Sequence, residues 1–429
     1  MRIFYSCLLY LAVPLVLFRL YWRGRQSPAY RDRWLERFGF VPHQVQQPAL
    51  WVHCVSVGET LAALPLIREL QRQYAGYTLM ITTTTPTGSE QVRQTLGDKV
   101  VHVYMPYDLP GSVRRFMDVV QPRMVIILET EIWPNLFALC SARQIPVAII
   151  NARLSPSSYK GYSRATRLTS QTLHSLSLIA AQSEMDAERF RNLGAPRERV
   201  KVLGNIKFDM DSLDEIEIES RTLHENWHLG DAKRLVWIAA STHEGEDETV
   251  LAAFEQVRNR LPDALLVLVP RHPERFKVVE KLCKDWVGSH GGDVVLRSNA
   301  RLIDDNTAIF IGDTMGELRL FYAAADVVFV GGSLVACGGH NILEPAALAR
   351  PVIFGPYMFN FIAARDLLLH AEAAVQVMDD CQLAEAVLKF ASDYRLRVNT
   401  GEHGRCAVNK NRGAMQSTMK ELAHLLPAS

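Results

Sequence analysis

Trp51-Val52-His53-Cys54-Val55-Ser56-Val57-Gly58-Glu59-Thr60 decides the fold. The apolar run at its start is short, as in a strand buried on both faces, and a helical pattern from about Gly58 to Tyr74 follows at once. That is one βα unit, and the chain repeats it. Further strands are predicted at Leu79–Thr82, Val101–Tyr104, Met124–Leu128, Val147–Ile150 and Leu178–Ala181. After an acid-rich, weakly patterned stretch from Asp209 to Arg234, the alternation restarts at Leu235–Ala239, Leu265–Val269, Val294–Leu296, Ala308–Ile311, Val327–Val330 and Val352–Phe354. The expectation is two doubly wound α/β domains facing one another across a cleft, with ligands at the carboxyl ends of the strands. The predicted boundaries are an N-terminal segment at 1–24, a first domain at 25–208, a linker at 209–234 and a second domain at 235–429.

Composition agrees with two cores. The chain has 429 residues, 48% of them apolar and 22% charged, which excludes disorder. Its 47 basic and 46 acidic residues leave a net charge of +1, so a general nucleic-acid binder is excluded and any bound anion must meet a local cluster. The seven cysteines are scattered without a C-x-x-C pair, which indicates neither a disulfide framework nor a zinc site and fits a reducing compartment.

Ile3 to Phe18 carry no charge. At about 1.5 Å per residue this helix falls short of a ~30 Å hydrocarbon core unless Arg19 snorkels and Tyr21 and Trp22 sit at the interface. Arg19, Arg23, Arg25, Arg31, Arg33 and Arg37 follow it, whereas Arg2 alone of the basic side chains precedes it. By the positive-inside rule the body stays in the cytoplasm. A cleaved signal peptide fits less well, because arginines stand where a small-residue cleavage site is needed.

Several predicted strand ends carry chemistry. Glu59 stands at a strand-to-helix turn, where a carboxylate suits a general base but also complements the helix dipole. The fourth strand runs into Leu128-Glu129-Thr130-Glu131, two carboxylates expected on one strand face. Thr82 to Thr85, with Thr87 and Ser89, form a hydroxyl-rich stretch that suits a sugar or phosphate, or an N-cap. Lys207 is a lone cation in Gly204-Asn205-Ile206-Lys207-Phe208-Asp209, able to stabilise developing negative charge.

In the second half, Pro270-Arg271 precedes a helix start at Pro273, and the Arg271 fork suits a phosphate or carboxylate. Gly312 to Leu318 places two glycines at a strand end, around Met315, Gly316 and Glu317. Gly331-Gly332 and Gly338-Gly339 then lead into His340 and Asn341-Ile342-Leu343-Glu344, a glycine-rich loop whose N–H groups suit a phosphate. Asn341 with Glu344 also fits a variant capping box. His340 lacks a partner histidine at i+4, and no metal site is expected.

Taken together, SVGET (Ser56–Thr60), TPTGSE (Thr85–Glu90), ETEIWPN (Glu129–Asn135), NARLS (Asn151–Ser155), STHEGE (Ser241–Glu246), PRHPERF (Pro270–Phe276), GDTMGEL (Gly312–Leu318) and GGHNILE (Gly338–Glu344) resemble the 3-deoxy-D-manno-octulosonic acid (Kdo) transferases. The resemblance covers nearly the whole chain. It implies a GT-B glycosyltransferase of two Rossmann-like domains, one binding the acceptor and one the CMP-sugar, behind an N-terminal membrane-anchor helix. The implied reaction takes Kdo from CMP-Kdo to a lipid A precursor at the cytoplasmic face of the inner membrane, without a metal or other cofactor. By the same resemblance Glu59 is the proton acceptor, and Glu129 and Lys207 stabilise the transition state. CMP contacts fall on Pro270, Arg271, Met315, Gly316, Glu317, Asn341, Ile342, Leu343 and Glu344. Ala336-Cys337 departs from the family, whose members carry a charged pair there, and this bears on a local loop contact. Two rivals are a membrane-associated GT-B enzyme using a UDP-sugar and a non-catalytic module that binds an anionic lipid. Nucleotide competition separates the first, and a nucleotide-dependent thermal shift the second.

Overall fold

The computed structural model describes the chain except residues 27, 43–44, 46, 210–215, 229–233, 300–302 and 427–429. It divides into two units, 1–209 with 411–429, and 210–410. The first holds strands β1 (Ala49–His53), β2 (Thr78–Thr83), β3 (Val101–Tyr104), β4 (Pro122–Leu128), β5 (Val147–Ala152), β6 (Leu178–Ala181) and β7 (Val200–Val202). They form one parallel sheet in the order β3-β2-β1-β4-β5-β6-β7. The second unit holds β8 (Val236–Thr242), β9 (Leu265–Pro270), β10 (Asp293–Leu296), β11 (Thr307–Ile311), β12 (Val327–Val330), β13 (Val352–Phe354) and β14 (Ala374–Gln376). Its parallel sheet runs β10-β11-β9-β8-β12-β13-β14.

Pleating explains why these runs are almost wholly apolar. Trp51 points to one face of the first sheet with Val125, Ile127 and Ile149, while Leu50 and Val52 point to the other with Ile126, Leu128 and Ile150. Helices cover both faces, so every position of β1 is buried. In each sheet the direction of winding reverses once, between β1 and β4 and between β8 and β12. A reversal opens a crevice at the carboxyl ends of the two strands, which is where α/β sheets hold ligands.

Two boundaries and one charge cluster differ from the sequence reading. The stretch read as a linker at 209–234 contains a helix, Ile216–Trp227, that belongs to the second unit. Trp227 is buried there against Phe310 and Phe321, while residues 210–215 and 229–233 of that stretch lie outside the described residues. The C-terminal helix Ala414–Leu425 packs in the first unit, not with residues 235–410, because Met419 and Leu422 enter the first core. Asp209 fixes its start by accepting the Gly413 N–H at 2.6 Å and the Met415 N–H at 2.5 Å. Finally, Arg33 and Arg37, counted in the basic run that follows the apolar segment, stack over Tyr104, and Arg37 donates to the Thr84 carbonyl at 3.0 Å. Packing accounts for those two.

The N-terminal helix Arg2–Gln26 is long and apolar enough to cross a membrane. Ile3, Phe4, Leu8, Leu11, Leu15, Phe18 and Trp22 are exposed on it, whereas Ser6 and Leu20 are buried. Ser6 donates to Asn135 Oδ1 at 3.1 Å.

Candidate active site

In the first unit the winding reversal lies between β1 and β4, and Glu59, Glu129 and Lys207 stand at its carboxyl side. β1 ends at His53, and Ser56 caps the helix Val57–Gln73, its hydroxyl accepting the Glu59 N–H at 3.4 Å. The Glu59 carboxylate folds back to accept the Val55 N–H at 2.7 Å and the Ser56 hydroxyl at 3.2 Å. Two donors do not offset its surroundings. Burial, followed by repulsion from Glu129 and Glu131, raises its pKa to about 7.

Glu129 and Glu131 do not share a strand face as the sequence suggests. β4 stops at Leu128, and Glu129 takes a left-handed conformation with φ 56°, unusual for a residue with a Cβ and a sign of local strain. The turn brings the Glu129 carboxylate to the Lys207 ammonium at 3.0 Å. Lys207 is positioned by Asn205, whose side chain accepts the Lys207 N–H at 3.0 Å, and by Asn151, which accepts the Ile206 N–H at 3.1 Å. Glu131 sits one step further along, its pKa raised to about 7 by burial. The hydroxyl-rich stretch serves the fold: Thr82 meets Trp51 and His53, Thr84 donates to the Val55 carbonyl, and Thr85 caps the next helix. Beneath the site, His53 is wholly buried with its pKa lowered to about 4 by burial, so it is neutral.

The second unit places its polar groups around the reversal between β8 and β12. Glu246, wholly buried, follows β8 by four residues and accepts N–H bonds from His243 at 3.0 Å, Gly332 at 2.6 Å, Ser333 at 3.0 Å and Leu334 at 2.8 Å. Gly332, Ser333 and Leu334, the first part of the glycine loop read as a phosphate cradle, thus give their N–H groups to a carboxylate. Gly331 is required because a Cβ there would lie 2.8 Å from the Ser241 carbonyl oxygen.

Arg271 follows Pro270 at the end of β9, and its guanidinium has no hydrogen bond or ion pair among the described residues. Glu344 is half-buried and accepts from Asn341 Nδ2 at 3.0 Å, and desolvation raises its pKa. The capping box does not form as expected: Asn341 Oδ1 accepts the Leu343 N–H at 3.1 Å, but the helix Leu343–Ala347 begins later, with Ile342 at its N-cap. Glu317 is clasped by Arg297 at 2.6 Å, which holds its carboxyl below the usual range, while Met315 is exposed beside Gly316. The sequence reading missed one contact here. His243 and His340 meet Nε2 to Nε2 at 2.8 Å with their rings nearly parallel, though 97 positions separate them.

Two parallel doubly wound sheets with polar groups gathered at both winding reversals define a GT-B-like glycosyltransferase architecture. The same fold is seen in UDP-GlcNAc 2-epimerase from Neisseria meningitidis, at a TM-score of 0.56 with 16% identity over 88% of this chain and 99% of that one. A family model described as 3-deoxy-D-manno-octulosonic-acid transferase (kdotransferase) matches residues 32–210. The 3-deoxy-D-manno-octulosonic acid transferase of Haemophilus influenzae is 41% identical over 418 residues, 97% of this chain and 96% of that protein. The C-terminal CMP-Kdo binding domain of WaaA from Acinetobacter baumannii is 32% identical over 47% of this chain and 99% of that domain, at a TM-score of 0.42. The chain belongs to the Kdo transferase family, glycosyltransferases that transfer Kdo in lipopolysaccharide biosynthesis.

Proposed function

We propose that this enzyme takes Kdo from CMP-Kdo and joins it to a sugar hydroxyl of a lipid A precursor at the cytoplasmic face of the inner membrane. The observation that carries the reading is the half-buried Glu59 carboxylate, its pKa raised to about 7, beside the Lys207–Glu129 ion pair. A base is most useful when it ionises near the working pH. Glu59 takes the proton of the acceptor hydroxyl as that oxygen attacks the anomeric carbon of Kdo, and Lys207, held by Glu129, offsets negative charge that develops at the reacting centre.

Donor contacts belong to the second unit. Arg271 offers a free planar fork to an anion, and half-buried Glu344 can accept ribose hydroxyls. Pro270, Met315, Gly316, Glu317, Asn341, Ile342 and Leu343 complete the proposed CMP contacts, with Glu317 acting through its clasp by Arg297. The electron pair of the broken bond leaves on the phosphate of CMP, where cationic side chains receive it, and the scheme uses no metal. The apolar helix Arg2–Gln26 would keep the catalyst on the surface that carries its lipid acceptor.

The test is a mass spectrum of a tetra-acylated lipid A precursor after incubation with CMP-Kdo and the full chain. Addition of one or more Kdo residues is expected. An unchanged acceptor with CMP-Kdo, but a glycosylated one with a UDP-sugar, would overturn the donor assignment.

A further inference from the structure

The first part of the glycine loop after β12 is not open to a phosphate. Gly332, Ser333 and Leu334 give their N–H groups to Glu246, and Gly339 gives its own to the Gly332 carbonyl at 2.7 Å. The formal charge of a nucleotide phosphate is matched by charged side chains. At this reversal they are Arg271 and the two histidines, which lie within its electrostatic reach.

The histidine pair has a definite proton capacity. Two Nε2 atoms at 2.8 Å are hydrogen-bonded through one proton, because a proton on each would place two N–H groups head to head. One ring donates and the other accepts, so the pair is either neutral or carries a single added proton, and never two. Its geometry is built in. Gly332, at φ 64°, leaves the space that the rings fill: a Cβ there would lie 2.9 Å from His340 Cδ2 and 3.4 Å from His243 Cδ2. The His243 backbone is in turn pinned to Glu246 at 3.0 Å.

We propose that His243 and His340 form a one-proton anion receptor for the phosphate of the nucleotide, taking up a proton from solvent when that phosphate binds beside Arg271. This rests on the reading that the second unit binds CMP. Without ligand the pair is neutral. Burial, then Arg271, His243 and His272, lower the His340 pKa to about 3. His243 is lowered by burial, with His272, Arg275 and Arg271 adding to the effect and Glu246 opposing it. Of these groups Arg275 is already paired with Asp247, and Glu246 is committed to four N–H groups, so neither can follow the ligand. A phosphate dianion reverses the local sign. It neutralises the repulsion from Arg271, favours the protonated pair, and gains a charged donor.

The experiment is calorimetric titration of the full chain with CMP near pH 7.5, in buffers of different ionisation enthalpy. The expected result is net uptake of part of a proton, up to one, with none on titration with cytidine, which lacks the phosphate. His340→Gln and His243→Asn should each abolish the uptake and weaken CMP binding about tenfold at pH 6.5, with little change at pH 8.5. The phosphate's own protonation near pH 6 is common to wild type and variants and cancels in the comparison. CMP bound without proton uptake, or uptake that persists in both folded variants, would overturn the inference and leave the CMP reading intact. Uptake with free Kdo but not with CMP would move the receptor to the sugar carboxylate and overturn the assignment to phosphate. Absence of CMP binding would overturn the donor reading and the inference with it.

Discussion

Replacing Glu59 with glutamine separates the two roles its position allows. The wild-type carboxyl is moved from 4.5 to about 7, first by burial and then by repulsion from Glu129 and Glu131, against the Val55 N–H and Ser56 hydroxyl that favour the charged form. A rise of that size is worth about 3 kcal/mol at most. The sign follows from linkage. Unfolded, the group ionises near 4.5; folded, it ionises near 7, so the folded chain holds an extra proton between those values. Its contribution to stability is whole below about pH 4.5 and is lost as pH rises through about 7. Glutamine never ionises and escapes that loss. Glu59→Gln should therefore match wild type near pH 4.5 and be more stable by about 1–3 kcal/mol at pH 8, a rise in the first unit's Tm of about 2–8 °C. Single-turnover transfer at saturating substrates should meanwhile fall by about 10²–10⁴-fold. If Glu59 only complemented the helix dipole, the charge would contribute about 0.3–1 kcal/mol, and the glutamine variant would be less stable at pH 8 with turnover largely intact. Denaturant unfolding across the pH range, with transfer measured on the same preparations, decides between them. A folded Gln variant with near-normal transfer, or one that gains no stability over wild type between pH 4.5 and pH 8, would refute the assignment of Glu59 as a desolvated base.

Other consequences can be checked in parallel. The kcat/KM of transfer should rise with pH through about 7, as Glu59 loses its proton, and a profile flat from pH 5 to 9 would count against it. Lys207→Met leaves the Glu129 charge uncompensated beside Glu59, so the rising limb should move to higher pH and turnover fall by about 10²–10³-fold, while stability changes by under about 1 kcal/mol because the pair is partly exposed. Glu246→Ala strands four backbone N–H groups and should destabilise the second unit by about 3–5 kcal/mol in chemical denaturation; a change under 1 kcal/mol would contradict its role. Ending the chain after Lys410 uncovers the surface that Met419 and Leu422 bury, and the first unit should lose at least about 3 kcal/mol, read as a lower unfolding midpoint or insoluble expression.

The sheets were legible because parallel strands covered on both faces read as unbroken apolar runs. Val101–Tyr104, Leu178–Ala181, Val327–Val330 and Val352–Phe354 were placed to the residue. What escaped was at the margins. β7 and β14 are three-residue edge strands that include Lys201 and Gln376, too short and too polar to register as apolar runs. The helix Ile216–Trp227 hides in an acid-rich stretch that carries Trp227 as a large buried anchor. At the site, the residue types at strand ends were legible, but their conformation was not. Nothing in Glu129-Thr130-Glu131 announces that the chain turns left-handed at Glu129 and hands its carboxylate to Lys207. The histidine pair is a product of topology: the sheet sets β12 beside β8, and this brings two loops together across 97 positions.

Glu59 and Glu246 show how one position in a fold is turned to two purposes. Each follows the strand beside the winding reversal of its unit, each stands where a helix begins, and each folds its carboxylate back onto nearby backbone. The difference lies in the number of donors. Glu246 receives four N–H groups and is wholly buried, so its negative charge is fully engaged in holding the β8 turn against the β12 loop. Glu59 receives one N–H and one hydroxyl, with two further carboxylates nearby, so its charge is under-solvated and its proton affinity rises. A carboxylate whose two oxygens already hold four donors has no open face to offer a substrate. One with two donors and repulsive neighbours, as at Glu59, gains by taking a proton. The count of donors, which only the folded chain reveals, is what assigns the base to the first unit and a structural clasp to the second, and it is why substitution at Glu59 and at Glu246 should change stability in opposite directions.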